Sequence, residues 1–256
     1  MLLAIDAGNT NIVFAVFKDA PKPLHVWRIQ TNAGRTGDEY MAWLSQLFEL
    51  GDLARADITD IIISSVVPDA NFNLKKFCEA MFGFAPLFVG RDKMDHGVVV
   101  DLPKPDELGA DRLVNTVAVL KDYKAPAIVI DCGTATTFDV INADGHFIGG
   151  VIAPGANLSM TALHMAAAQL PKVAIAKPKA AIANTTVSAM QAGVYWGYVG
   201  LIDGLVRQIT LELGEKPFVL GTGGLAALFA EGTDVIDKID PDLTLRGLYY
   251  IFERNA

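Results

Sequence analysis

One pattern occurs twice. It stands at Asp6-Ala7-Gly8-Asn9-Thr10 and returns, about half the chain of 256 residues later, at Asp131-Cys132-Gly133-Thr134-Ala135-Thr136-Thr137. Each copy follows a short apolar run (2–5 and 127–130) and precedes another (12–17 and 138–141). Short apolar runs separated by Gly, Asn and Thr read as a β-hairpin. Two such hairpins at half-chain spacing point to a duplicated domain, at a period far longer than a solenoid repeat.

The rest of the chain keeps that symmetry coarsely. In the first half a buried strand over 58–68 ends in small residues and is followed by a helical stretch at 71–82. In the second half a strand over 216–224 ends in glycines and is followed by Leu-Ala-Ala-Leu-Phe-Ala. Another short strand is read at 87–90, and helical periodicity marks 38–50, 106–123, 158–170 and 186–213. The last is long and carries Gly193, Gly197, Gly200 and Gly204, which allow close helix packing, as against a second subunit. Strands with intervening helices give an α/β class with mixed sheets. The boundary is expected near 121–127, dividing the chain into domains 1–122 and 123–256.

Composition narrows the function. Hydrophobic residues make up 52% and charged residues 20%, which excludes a disordered chain. The net charge of -8 repels phosphate backbones, so no nucleic-acid partner is expected. Cys78 and Cys132 form neither a disulfide framework nor a CxxC metal pattern, which suits a reducing compartment. The start MLLAID lacks a basic n-region and meets an acid at Asp6, so no signal peptide is expected. No apolar run reaches a membrane span. The expected location is the cytoplasm.

A turn of Gly, Asn and Thr between strands turns backbone N–H groups and hydroxyls into one concavity, which suits phosphate oxygens. An aspartate before the glycine suits a divalent cation. Neither a Walker loop nor a GxGxxG fingerprint is present. An isolated DAGNT also reads as an ordinary turn capped by its own Asp. The pair, taken with Gly221-Thr222-Gly223-Gly224, reads as nucleotide binding. Asp111 follows Pro105-Asp106-Glu107, a helix-start signature, and a carboxylate in the first turn is expected to stay ionised by the amide dipoles. Gly109 leaves room beside free helix N–H groups, and Arg112 offers a planar fork for a carboxylate. From the residues alone, a catalytic pair and a dipole-compensating Asp111 with a surface Arg112 stand level.

Seven stretches together resemble type III pantothenate kinases, of the acetate-kinase, sugar-kinase, Hsp70 and actin superfamily. They are Asp6-x-Gly8-Asn9-Thr10; Gly109-Ala110-Asp111-Arg112; Asp131-x-Gly133-Thr134-Ala135-Thr136-Thr137; Gly149-Gly150-x-Ile152-x-Pro154-Gly155; Thr186-Val187 with Gln191 and Gly193; Thr222-Gly223-Gly224-Leu225; and Asp242-Leu243-Thr244-Leu245-Arg246-Gly247-Leu248. The resemblance implies duplicated ribonuclease-H-like domains with an interdomain ATP cleft. It implies transfer of the ATP γ-phosphoryl to the 4′-hydroxyl of pantothenate, the first step of coenzyme A synthesis. It assigns Asp6, Ala7, Gly8, Asn9, Thr10, Asn11, Ile12, Val13 and Thr134 to ATP. Gly109, Ala110, Asp111, Arg112 and Thr186 go to pantothenate, with Asp111 the proton acceptor and Thr186 supplied across a homodimer. Asp131 is assigned to potassium or ammonium, and Mg²⁺ or Mn²⁺ accompanies ATP. Two positions depart from the family pattern: Leu102 where many relatives have Tyr, and Thr185 where many have Asn or Asp.

Two other readings stay open from the sequence: a non-catalytic nucleotide-binding regulator on the same fold, and a kinase for another small hydroxy acid or sugar. His25, His96, His146 and His164 show no metal-ligand spacing. Cys132 takes the place of Ala7 in the repeat and reads as a small buried hydrophobe. The basic, proline-containing stretch 171–183 is expected to be a mobile loop near the site.

Overall fold

The first pattern lies where β1 (Leu2–Ala7) turns into β2 (Asn11–Phe17), and the second where β6 (Ala127–Cys132) turns into β7 (Ala135–Ile141). Both pairs are antiparallel hairpins, as their alternating apolar sequences require. The structure is a computed structural model that describes residues 1–167 and 170–256. In the first half, β3 (His25–Gln30), β4 (Asp60–Ser65) and β5 (Leu87–Phe88) complete a sheet of order β3-β2-β1-β4-β5. In the second, β8 (Phe147–Pro154), β9 (Phe218–Thr222) and β10 (Lys238–Ile239) give β8-β7-β6-β9-β10. Both sheets are antiparallel across the first three strands and parallel across the others. The chain thus has the expected duplicated ribonuclease-H-like α/β fold.

The chain forms two compact units. One comprises Met1–Val98, Lys104–Asp122 and Asp242–Ala256, and the other Val99–Pro103 and Tyr123–Pro241. The chain passes from the first unit to the second between Asp122 and Tyr123, and the expected domains are 1–122 and 123–256. Two stretches depart from that division for physical reasons. The final helix, α7 (Leu243–Asn255), buries Leu243, Leu245, Leu248 and Ile251 in the first unit. Val99–Pro103 runs with the second unit, where Phe147 N donates to Val99 O and Asp101 N donates to Phe147 O.

In the first unit, one face of the sheet carries Leu3, Ile5, Ile12, Phe14 and Val16 against α1 (Gly37–Leu50) and α2 (Pro68–Phe82). Phe14, Tyr40 and Phe77 are fully buried there, each phenylalanine contributing on the order of 1.5–3 kcal/mol on leaving water. Strand alternation puts Leu2, Ala4 and Asp6 on the other face. That face is covered by α7, on β1 and β4, and by α3 (Ala110–Asp122), on β4. The helix read over 106–123 therefore starts later, because Pro105–Glu107 forms a 3-10 turn and Leu108 is extended.

In the second unit, Ile128, Ile130, Phe138 and Val140 pack on α5 (Thr186–Leu213) and α6 (Ala226–Ala230), through Tyr195, Ile202 and Phe229. α5 has the span read from its periodicity, and Thr185 caps it by accepting from Ser188 N. The helix read over 158–170 is α4 (Ala156–Ala166), which starts earlier and stops sooner because Ala167 turns to extended backbone; Leu170 is not helical, and 168–169 lie outside the described residues. The stretch 171–183 holds neither helix nor strand. Gln191 Nε2 donates to Ala174 O, and Lys177 pairs with Glu231 at 3.2 Å. Among the described residues, no helix is long and apolar enough to cross a membrane.

Candidate functional site

The first turn exposes Asn9, Thr10 and Asn11 at its tip and is held from outside its own sequence. Gly8 N donates to Asn11 O at 3.1 Å. Thr31, just beyond β3, donates its Oγ1 to Gly8 O at 2.6 Å and its N–H to Thr10 O at 2.9 Å. Sequence reading missed Thr31, since nothing local links it to a turn some twenty residues earlier. Ala7 and Ile12 are fully buried in the apolar core. Their side chains therefore stand inside the core, away from the surface of the turn. Val13 is half-buried on β2. Asp6 is half-buried, in register with Val13 on one side and Ser64 on the other. The Ser64 hydroxyl is buried and has no hydrogen-bond partner among the described residues. A carboxylate beside a spare hydroxyl is a hard oxygen set of the kind Mg²⁺ takes.

The second turn has one residue fewer between its paired ends: Cys132 pairs with Thr136, whereas Ala7 pairs with Ile12. Gly133 N donates to Ala135 O at 3.0 Å, and Thr134 O accepts from Gly155 N at 3.0 Å. Asp131 is in register with Thr137 and with Thr222, the buried last residue of β9. Gly223 follows with φ +86°, and a Cβ there would overlap Asp131 Oδ1 and stand 2.8 Å from Cys132 N. Only a glycine leaves that carboxylate its space. Asp131 thus faces a backbone cradle that a side chain would fill. Among the described residues, no three His, Cys, Asp or Glu side chains gather as a metal site. Cys132 is buried, and its thiol is pushed up to about 12, by burial first and by the Asp131 charge second, so it is no nucleophile.

Asp111 and Arg112 occupy the first turn of α3, both half-buried. Asp111 Oδ1 accepts from Arg112 N at 2.8 Å. A Cβ on Gly109 would lie 2.7 Å from that same oxygen. Ala110 opens the helix between them. The helix start is only part of what acts on the Asp111 carboxylate. Burial raises its pKa above the ordinary carboxylate value, outweighing the opposing pull of the Arg112 N–H and guanidinium. A general base gains from a pKa drawn toward the working pH.

The site residues fall in both units. Asp6, the first turn and Gly109–Arg112 belong to the first, while Asp131, Thr134 and Thr186 belong to the second. Thr186 is exposed in the first turn of α5. Leu102 packs against Gly149 in the second unit.

The family model for type III pantothenate kinase matches residues 2–208. A curated type III pantothenate kinase from Paramagnetospirillum magneticum is 57% identical over 256 residues, covering 100% of this chain and 98% of that one. A Campylobacter jejuni protein described as a Baf family transcriptional activator shares the fold at TM-score 0.60 and 20% identity, over 98% of this chain and 97% of its own. The activator of 2-hydroxyisocaproyl-CoA dehydratase from Clostridium difficile, solved with ADPNP, shares it at TM-score 0.57 and 14% identity, over 98% and 94%. Those two likenesses establish the fold alone. The family match over most of the chain, together with identity above one half from end to end, makes this chain a member of the type III pantothenate kinase family.

Proposed function

We propose that the protein transfers the γ-phosphoryl group of ATP to the 4′-hydroxyl of pantothenate, opening coenzyme A synthesis in the cytoplasm. The observation that carries this is Asp111: a partly buried carboxylate of raised pKa, at a helix start, beside a glycine that leaves room next to it. Asp111 takes the hydroxyl proton as the pantothenate oxygen bonds to the γ-phosphorus. The bond from that phosphorus to the β-bridging oxygen breaks, and ADP leaves. Arg112 holds the pantothenate carboxylate. The turn over 8–11 and Thr134 hold the phosphates, with Ala7 and Ile12 acting through their backbone. Asp6 and Ser64 fit the divalent ion that accompanies ATP. Potassium or ammonium at Asp131 would offset phosphate charge in a protein of net charge -8.

We read the active form as a homodimer joined through α5. Among the described residues, a Cβ at Gly193, Gly197, Gly200 or Gly204 would meet nothing within 4 Å beyond its own helix backbone, and Trp196 on the same helix is 40% exposed. Thr186, at the head of that helix, then serves the substrate of the other protomer. ADP release measured with pantothenate, other small hydroxy acids and sugars tests the reading. Pantothenate-dependent turnover is expected. Turnover with a different acceptor would reassign the substrate, and nucleotide binding without turnover would make the protein a regulator. A monomer by light scattering at assay concentration would contradict the dimer.

A further inference from the structure

The closing motif over 242–248 has no part in the chemistry above, and two of its polar side chains, Thr244 and Arg246, reach α3. Thr244 Oγ1 donates to Asn115 Oδ1 at 2.7 Å, and Asn115 is 1% exposed. Arg246 Nε donates to Asp122 Oδ2 at 2.8 Å, and the Tyr250 hydroxyl donates to Asp122 Oδ1 at 2.6 Å. Between these contacts Gly247 lies on the α3 backbone. A Cβ there would overlap the Val114 carbonyl oxygen and stand 2.7 Å from Val114 Cγ1. α7 therefore holds α3 at its last residue and, two turns earlier, at the adjacent pair Val114 and Asn115.

Asn115 stands four residues beyond Asp111, one turn along the same helical face. The Asp111 carboxylate is itself bound to the helix start through Arg112 N, so it moves with that first turn. Asn115 is buried with an acceptor that needs a donor, and Thr244 supplies one. We infer that Thr244 and Gly247 are positioning residues for Asp111: α7 sets where α3 sits, and through it where the carboxylate meets the substrate hydroxyl. The inference rests on Asp111 as the proton acceptor. Groups that react must be held to about 0.5 Å, and a misplacement of about 1 Å costs roughly 10²-fold in rate.

The test compares Thr244→Val, Thr244→Ser and Gly247→Ala in the full-length protein, alone and combined with Asp111→Asn. It reads kcat, KM for ATP and the melting temperature. Thr244→Val keeps shape and loses the donor, so kcat should fall roughly tenfold with KM for ATP unchanged. Thr244→Ser restores the donor and should restore kcat. Gly247→Ala forces the helices apart and should cost roughly 10²-fold. In the Asp111→Asn background the Thr244→Val loss should vanish, because the residue it acts through is gone. Full kcat in the folded Thr244→Val protein, while Asp111→Asn is impaired, overturns the inference and leaves the proton acceptor standing. An equal Thr244→Val loss with and without Asp111 also overturns it. Full kcat in Asp111→Asn removes the proton acceptor and the inference together. Should Gly247→Ala fail to fold, the two Thr244 variants decide alone, since Leu243, Leu245 and Leu248 keep α7 anchored.

Discussion

The two hairpins have the same strands and different turns. β1 and β6 share one sequence of buried and half-buried positions, down to the half-buried aspartate before a buried small residue. At the tip they part. The first turn is one residue longer and exposes Asn9, Thr10 and Asn11. The second is tighter, and its aspartate lies against the glycine backbone of the neighbouring strand end. The helices that close the two copies differ as well. α3 follows β5 and α7 follows β10, yet both pack in the first unit, and only α3 presents the Gly-Ala-Asp-Arg start. On the function proposed above, a duplicated backbone takes up unlike tasks: an anion-facing turn and a general base from one copy, a cation-facing turn and a brace from the other.

The sharpest way to break this division is at the helix start that one copy has and the other lacks. Asp111→Asn should lower kcat by about 10²–10⁴ while ATP binding, read by calorimetry, persists. An unchanged kcat would leave α3 as much a brace as α7. The turns come next. Gly223→Ala must strain a backbone at φ +86°, at roughly 1–3 kcal/mol, and must displace the Asp131 carboxylate. It should cost about tenfold in rate and abolish any response to potassium. Gly8→Ala places a Cβ 3.2 Å from Asn11 O, at a φ open to any residue. It should raise KM for ATP by only about threefold. Equal effects from the two substitutions would mean that the turns do the same work.

The smallest effect concerns stability. Asp111 has a raised pKa in the folded protein, so the folded state holds its proton to higher pH than the unfolded chain does. Stability must then fall as pH rises from the ordinary aspartate value of 3.8 to the raised one, and level off above it. Melting curves of Asp111→Asn across that window should lack this share of the slope. A slope identical to wild type would show that burial does not raise this group.

Much of this was legible before any coordinates. Asp-x-Gly between apolar runs gave both hairpins, because a period-2 pattern broken by turn residues has few other solutions. The uninterrupted apolar period gave α5 to the residue. The unit that α7 joins was not legible, since its apolar face at Leu243, Leu245 and Leu248 would suit either sheet. Nor was the seat of Gly247, which depends on how closely two helices approach. The raised pKa of Asp111 was not legible for a related reason: a helix start is visible in sequence, whereas burial of its carboxylate is a property of the packed unit. Thr31 and Ser64 reach the first turn only through strand pairing, which no local pattern announces.

The division of labour between the two turns is tested most directly by one rate measurement. Phosphopantothenate formation is followed by mass spectrometry, with Mg²⁺ and ATP in excess, in sodium, potassium and ammonium buffers of equal ionic strength. Wild type and Asp131→Ala are compared side by side. Product should form only with pantothenate present, faster for wild type in potassium and ammonium than in sodium, and without that difference for Asp131→Ala. Equal wild-type rates in all three buffers, or a cation response that survives the loss of Asp131, would contradict the account.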